Sequence, residues 1–134
     1  LVEDYRIELD SSAGVPCGAV SLSLRSAHSR RIEADIEASI EVEWQSKLQK
    51  HPRMFNGSKF RYGSAAADGS GGVCFELALT DYRSMVGTNM TARHSELAAR
   101  DPRLLANAVG NGAVVETADR CVMLLLRSPD MLEA

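Results

Sequence analysis

Cysteine is scarce in this sequence, and the three it has, Cys17, Cys74 and Cys121, stand far apart in 134 residues. An odd count with no C-x-x-C pair argues against a disulfide framework and points to a reducing, cytoplasmic setting. Long apolar runs are also missing: nothing approaches the roughly 18 residues of a membrane span. The opening "LVEDYRIELD" has neither the basic nor the apolar region of a secretory signal. It lacks an initiator methionine as well, which suggests a cut or the edge of an ordered region. An excess of positive charge is absent too. The net charge of -3 comes with dispersed basic residues, so there is no basic stripe for nucleic acid.

Several kinds of chemistry lack their signatures. His28, His51 and His94 have no i, i+3 or i, i+4 partner among Cys, Asp and Glu that would suggest a zinc site. No G-x-S-x-G elbow supports a serine hydrolase. Asn56-Gly57-Ser58 and Asn89-Met90-Thr91 match the glycosylation pattern, but in a reducing setting they read as turn chemistry. No repeat, low-complexity tract or block of like charge occurs.

What is present is an ordinary soluble composition, 45% hydrophobic and 25% charged, long enough for one domain or a domain with part of another. Tyr5, Ile7 and Leu9 alternate with charged residues as in a half-buried strand, and Val20, Leu22 and Leu24 alternate again after a Gly/Pro loop. From Ile32 to Lys50 the residues Ile32, Ile36, Ile40, Trp44 and Leu48 recur every fourth position, predicting a helix that Pro52 stops. Its glutamates Glu33, Glu37, Glu41 and Glu43 read as a solvated face. Asn56-Gly57 marks a turn before a short strand with Phe60 and Tyr62 on one face and Lys59 and Arg61 on the other. "GSAAADGSGG" reads as a surface loop, and Val73, Phe75, Leu77 and Leu79 resume the alternation in a strand that pairs with the 58–62 run. Thr80 or Asp81 is a candidate helix cap, Gly87 a break, Thr91 a second cap for a helix reaching Arg100, and Asp101-Pro102 a further start. "GNGAVVET" and "CVMLLLR" form a closing hairpin whose second arm, apolar at every position from Val122 to Leu126, calls for cover on both faces.

The segment with most chemical content is "LTDYRSMVGTN" (79–89). A capped helix start and a Gly-Thr-Asn turn offer backbone N–H groups and polar side chains to an anionic or hydrogen-bonding ligand. Arg83 fits a phosphate-facing cation and Tyr82 a stacking surface, and a surface salt bridge on an exposed helix turn fits them equally.

"NGSKFRYG" (56–63), "LTDYRSMVGTN" (79–89) and "GNGAVVETADRCVMLLLRS" (110–128), with a weaker "AHSRRI" (27–32), resemble the N-terminal part of the Nudix hydrolase branch that splits UDP-glucose and UDP-galactose. The blocks keep the branch's order and spacing over about a third of the chain. The resemblance implies an α+β fold: a small N-terminal domain over 1–107, then the first strands of a Nudix αβα sandwich with a mixed sheet from 108 to 134. The catalytic box of that family, G-x5-E-x7-R-E-U-x-E-E-x-G-U, whose glutamates hold Mg²⁺, does not occur here, and the pattern runs out at about Ser128. The resemblance therefore supplies no catalytic or metal-binding residue. It does imply a nucleotide-sugar substrate and a substrate-side region with Tyr82, Arg83, Thr88 and Asn89, and less directly Lys59 and Arg61. Two other readings stand beside it: a non-catalytic nucleotide-binding or interaction module of the same ancestry, and a scaffold domain whose hairpin is a protein interface.

Overall fold

The computed structural model describes residues 7–126, and they form an α+β arrangement. Strand β1 (Val20–Leu24) is followed by helix α1 (Ala34–Lys50), strands β2 (Ser58–Ala67) and β3 (Val73–Asp81), and helices α2 (Tyr82–Thr88) and α3 (His94–Arg100). The sheet is mixed, in the order β1-β3-β2, with β1 parallel and β2 antiparallel to the central β3. Among the described residues no helix is long and apolar enough to cross a membrane.

The hairpin between β2 and β3 is the expected one, but β2 runs five residues further. Ser64 to Ala67 pair with Glu76 to Val73, so the first half of the stretch read as loop, Gly63 to Ala67, is strand. The loop itself is short: Asp68 Oδ1 accepts N–H bonds from Ser70 and Gly72, closing the turn. A bulge lies between Tyr62 and Ser64. Gly63 sits in it because a Cβ there would collide with the His28 ring and the Glu76 carbonyl.

Paired residues share a face of a sheet, so the register sorts the side chains into two surfaces. One carries Arg61 opposite Ala78, both buried, with the Arg61 guanidinium against the carbonyls of Pro102 and Leu105. The other carries Val20 beside Val73, Leu22 beside Phe75, Leu24 beside Leu77, and Phe60 opposite Leu79. Val73 and Leu77 are buried in the centre, while Leu22, Leu24, Phe60 and Leu79 are exposed. The short alternating runs thus form strands as expected, but much of their apolar side is bare.

The helical core is assembled differently. Ile36 and Ile40 of α1 meet Leu97 of α3 and Leu104 and Leu105 beyond it, all essentially excluded from water. Trp44 continues that stripe, but Ile32, before the helix start, is exposed. Gly87 does not break α2. It lies inside that helix where α1 passes closely: an added Cβ would come within 2.7 Å of the Ile40 Cα. The α3 helix is preceded by Arg93, and Thr91 contributes its carbonyl to the His94 N–H instead of a side-chain cap. Asp81 and Asp101 do cap, accepting from the Ser84 and Arg103 N–H groups respectively.

At the two ends the expected strands are reduced. Ile7 and Leu9 lie in irregular chain, lining a shallow groove of about 510 Å³ with Val20, Tyr62, Val73 and Phe75; Tyr5 falls outside the described residues. The closing hairpin turns at Arg120, with φ of 65°, and holds one bridge between Glu116 and Val122. The remaining arm, Leu124 to Leu126, is irregular, and Arg127 lies outside the described residues.

Candidate functional site

The Asn56-Gly57 turn and the start of α2 are bonded together. Asn56 Oδ1 accepts the Arg83 N–H at 2.9 Å, and the Gly57 carbonyl accepts the Tyr82 N–H at 2.9 Å. These bonds, with the Asp81 cap at 2.7 Å, take up N–H groups that the first turn of a helix leaves without intrahelical partners. Burial pushes the Asp81 carboxyl toward neutrality, but the bonds from Ser84 and Asn56 and the nearby Arg83 charge outweigh it, and the net shift is downward. A charged cap is what the positive end of a helix favours.

Three of the six site candidates converge on this surface. The Tyr82 ring meets Trp44 edge-on, with centroids 6.1 Å apart, and Lys59 Nζ stands 5.3 Å from the Tyr82 centroid on the sheet side. Both are within the range of favourable aromatic and cation–π contact. Arg83 follows Tyr82 directly and donates from Nη1 to Glu41 Oε2 at 2.7 Å. The Arg83 Nε is shielded from solvent and has no hydrogen-bond partner. The result is a small platform of one ring and two cations, with one cation already paired to an acid.

The other three candidates are committed to holding the backbone. The Thr88 hydroxyl, fully buried, donates to the Ser84 carbonyl at 2.7 Å and accepts the Ala106 N–H at 3.1 Å. Asn89 accepts the Asn107 N–H through Oδ1 at 2.9 Å and donates through Nδ2 to the Asn107 side chain at 3.0 Å. That clamp holds Asn107 in the left-handed region, at φ of 42°, a conformation asparagine tolerates better than most residues. Beyond it Val109 N donates to the Phe60 carbonyl and Tyr62 N to the Asn107 carbonyl, so the 107–109 segment adds itself to the outer edge of β2. Arg61 is only 5% exposed. Its guanidinium donates to the carbonyls of Leu105 at 3.1 Å and His28 at 2.7 Å, and lies 3.4 Å from that of Pro102. Burial lowers the Arg61 pKa, with the Arg30 charge acting the same way. Lys59 and Arg61 therefore share a strand face but have different tasks: one reaches the Tyr82 ring, the other is enclosed by carbonyls.

Two polar clusters escaped the sequence reading. In the first, Glu76 on β3 bonds His28 at 2.9 Å and Ser64 at 3.3 Å and faces Arg25 at 3.4 Å. The bond from His28 is the main reason its carboxyl stays below the ordinary range. The second corrects the expectation that the α1 glutamates are merely solvated. Glu33 is paired with Arg31 at 2.9 Å and with Arg100, Glu37 with Arg30, and Glu41 with Arg83. Asp101 joins Arg31 at 3.1 Å and Arg103 at 2.9 Å. The missed signal was the run Arg30-Arg31 just before the acidic helix, which supplies counter-charges to its first turn. Among the described residues no group of three or more His, Cys, Asp and Glu could hold a metal ion, so these residues do not fit a divalent-ion centre and no catalytic step through one is derived for them.

Comparison with known proteins gives three informative relatives. Nudix hydrolase 9 of Arabidopsis thaliana is 33% identical over 96% of this chain and 46% of its own length. The uridine diphosphate glucose pyrophosphatase NUDT22 of Homo sapiens is 33% identical over 90% of the chain and 44% of its own length, and that of Bos taurus 32% identical over 90% and 46%. No family model matches the chain. The chain spans about half the length of the curated relatives it matches.

Proposed function

Since this chain is a relative of the Nudix hydrolases over nearly all of its length, we propose that it is the N-terminal part of a nucleotide-sugar pyrophosphatase. The substrate is UDP-glucose or a close relative, cleaved to UMP and a sugar 1-phosphate. The observation that carries this reading is the identity to two curated groups of relatives, one named a Nudix hydrolase and the other a UDP-glucose pyrophosphatase. Mg²⁺ is the cofactor this reading implies; when bound it would supply Lewis-acid polarisation of the pyrophosphate, and none of the described residues is assigned as its ligand.

The platform is the substrate-side surface of this proposal. Lys59 places positive charge over the Tyr82 ring and Arg83 carries a second charge at the next position of α2, a combination suited to a phosphate next to a flat base. Binding would exchange the Arg83–Glu41 pair for a phosphate contact, and a half-exposed ion pair costs little to exchange. Thr88, Asn89 and Arg61 serve the same site by positioning, because their polar atoms hold the 105–107 segment between the end of α2 and strand β2. The protein is assigned to the cytoplasm on its cysteine usage.

The test is direct. The product of the full coding sequence is incubated with UDP-glucose and Mg²⁺ and UMP release is followed by chromatography. Release that stops with a chelator supports the reading, and failure to release UMP from any UDP-sugar sinks it. Lys59→Ala and Arg83→Ala are expected to raise KM more than they lower kcat; an unchanged KM in both would remove the platform from the substrate side. Binding of UDP-glucose without turnover would instead favour the non-catalytic module.

A further inference from the structure

The bare side of the sheet and the bare hairpin have one physical problem in common. Leu22 is 66%, Leu24 60%, Phe60 50% and Leu79 62% exposed, and the register places all four on one face with no charged residue from Val20 to Leu24. The Ile7–Val15 segment covers the end of that face near Val20 and Val73 and leaves the end near Phe60 and Leu79 open. The chain departs at that open end: Val109 is bonded to Phe60, and the hairpin that follows exposes Val114, Val122, Met123, Leu124, Leu125 and Leu126. A contiguous apolar surface of this kind is uncommon on a monomer and marks an interface.

We propose that the open sheet face and the 113–126 hairpin form one continuous docking surface, and that its occupant is a further segment of the same polypeptide. Two observations select this occupant over a second copy. The matched relatives carry roughly as much chain again as they share with this one. The root of the hairpin is also tied to the open end of the sheet face, because the Val109 N–H donates to the Phe60 carbonyl at 2.9 Å and Ala108 bridges Arg61. The inference does not depend on which substrate the protein uses.

Hydroxyl-radical footprinting of the unsubstituted, full coding product tests it, with oxidation mapped by peptide mass. Val42, exposed on the outer face of α1, is the internal reference. With each rate divided by the intrinsic reactivity of its side-chain type, we expect Leu22, Leu24, Phe60 and Leu79 to react several-fold more slowly than Val42, and Leu124 to Leu126 likewise, at every protein concentration. Rates equal to that of Val42 would overturn the proposal. Protection that disappears on dilution would also overturn it, by identifying a second copy as the occupant, as would a full product that stops at Ala134. UMP release is read separately on the same sample, so loss of the substrate reading and loss of this one are distinguishable.

Discussion

The side of the molecule built on α1 and the side built on the sheet face use the same kinds of apolar residue and treat them oppositely. Ile36 and Ile40 are sealed by Leu97, Leu104 and Leu105, all supplied by this chain. Leu22, Leu24, Phe60 and Leu79 are as regularly spaced on their strands, yet they face outward. Periodicity says which side of an element avoids water but not who excludes it. The partner of a helix stripe here lies within about seventy residues, whereas the open end of the sheet face has none among the described ones.

That contrast can be broken or sharpened by substitution in the full product. Ile40→Ala should have the largest effect, a loss of about 2–5 kcal/mol in denaturant unfolding, because a fully enclosed side chain leaves a cavity. A loss near zero would mean that the helical core is not closed. Gly87→Ala should cost about 1–3 kcal/mol, since the new methyl meets the α1 backbone and not a flexible side chain. Leu22→Ser should cost about 1.5 kcal/mol if the sheet face is covered as proposed, the low end for burying a leucine. If the face is bare, the change should sit within about 0.5 kcal/mol, the usual range for surface positions.

The smallest effect is expected from pH. Asp101 is held well below the ordinary carboxylate range, first by the side-chain bond from Arg103, then by the Arg103 N–H, with Arg31 adding to it. A depressed folded value contributes stability that is fully present above the unfolded pKa, about 3.9, and is lost as pH falls through the folded value. Unfolding midpoints should therefore decline below about pH 4. Asp101→Asn should flatten that decline without abolishing it, because Glu76 and Asp81 are shifted in the same direction. A decline identical to that of the parent would remove Asp101 from the account.

Much of the fold was legible because its signals were local. The four-residue spacing of α1, the Asp81 and Asp101 caps and the β2–β3 pairing each depend on residues within one element or its neighbour. The readings that changed depended on distant contacts. Gly87 looked like a break until α1 was placed against it, and the alanines of β2 looked like loop until Glu76, Phe75, Cys74 and Val73 were placed opposite. The site shows the same division. Tyr82 and Arg83 were found through the helix start they occupy, and Arg83 was indeed in the surface salt bridge that had been the other reading of it. The enclosure of Arg61 by the carbonyls of His28 and Leu105, and the Asn89–Asn107 clamp, could not be read from spacing, because nothing in a polar residue's type says which backbone it will meet.

The parallel pairing of β1 has a consequence for the order of assembly. The β2–β3 hairpin closes a turn of a few residues, a step that takes microseconds in isolated hairpins. Strand β1 must instead find β3 across a long loop: Ser21 Oγ meets the Val73 carbonyl 52 positions away, after α1 and β2 have both been passed. Closing that loop costs entropy before any ladder bond compensates, and slanted parallel bonds return slightly less per residue. β1 is therefore the strand that docks late and opens first, and the amides of Val20–Leu24 should exchange with solvent hydrogen ahead of those shared by β2 and β3.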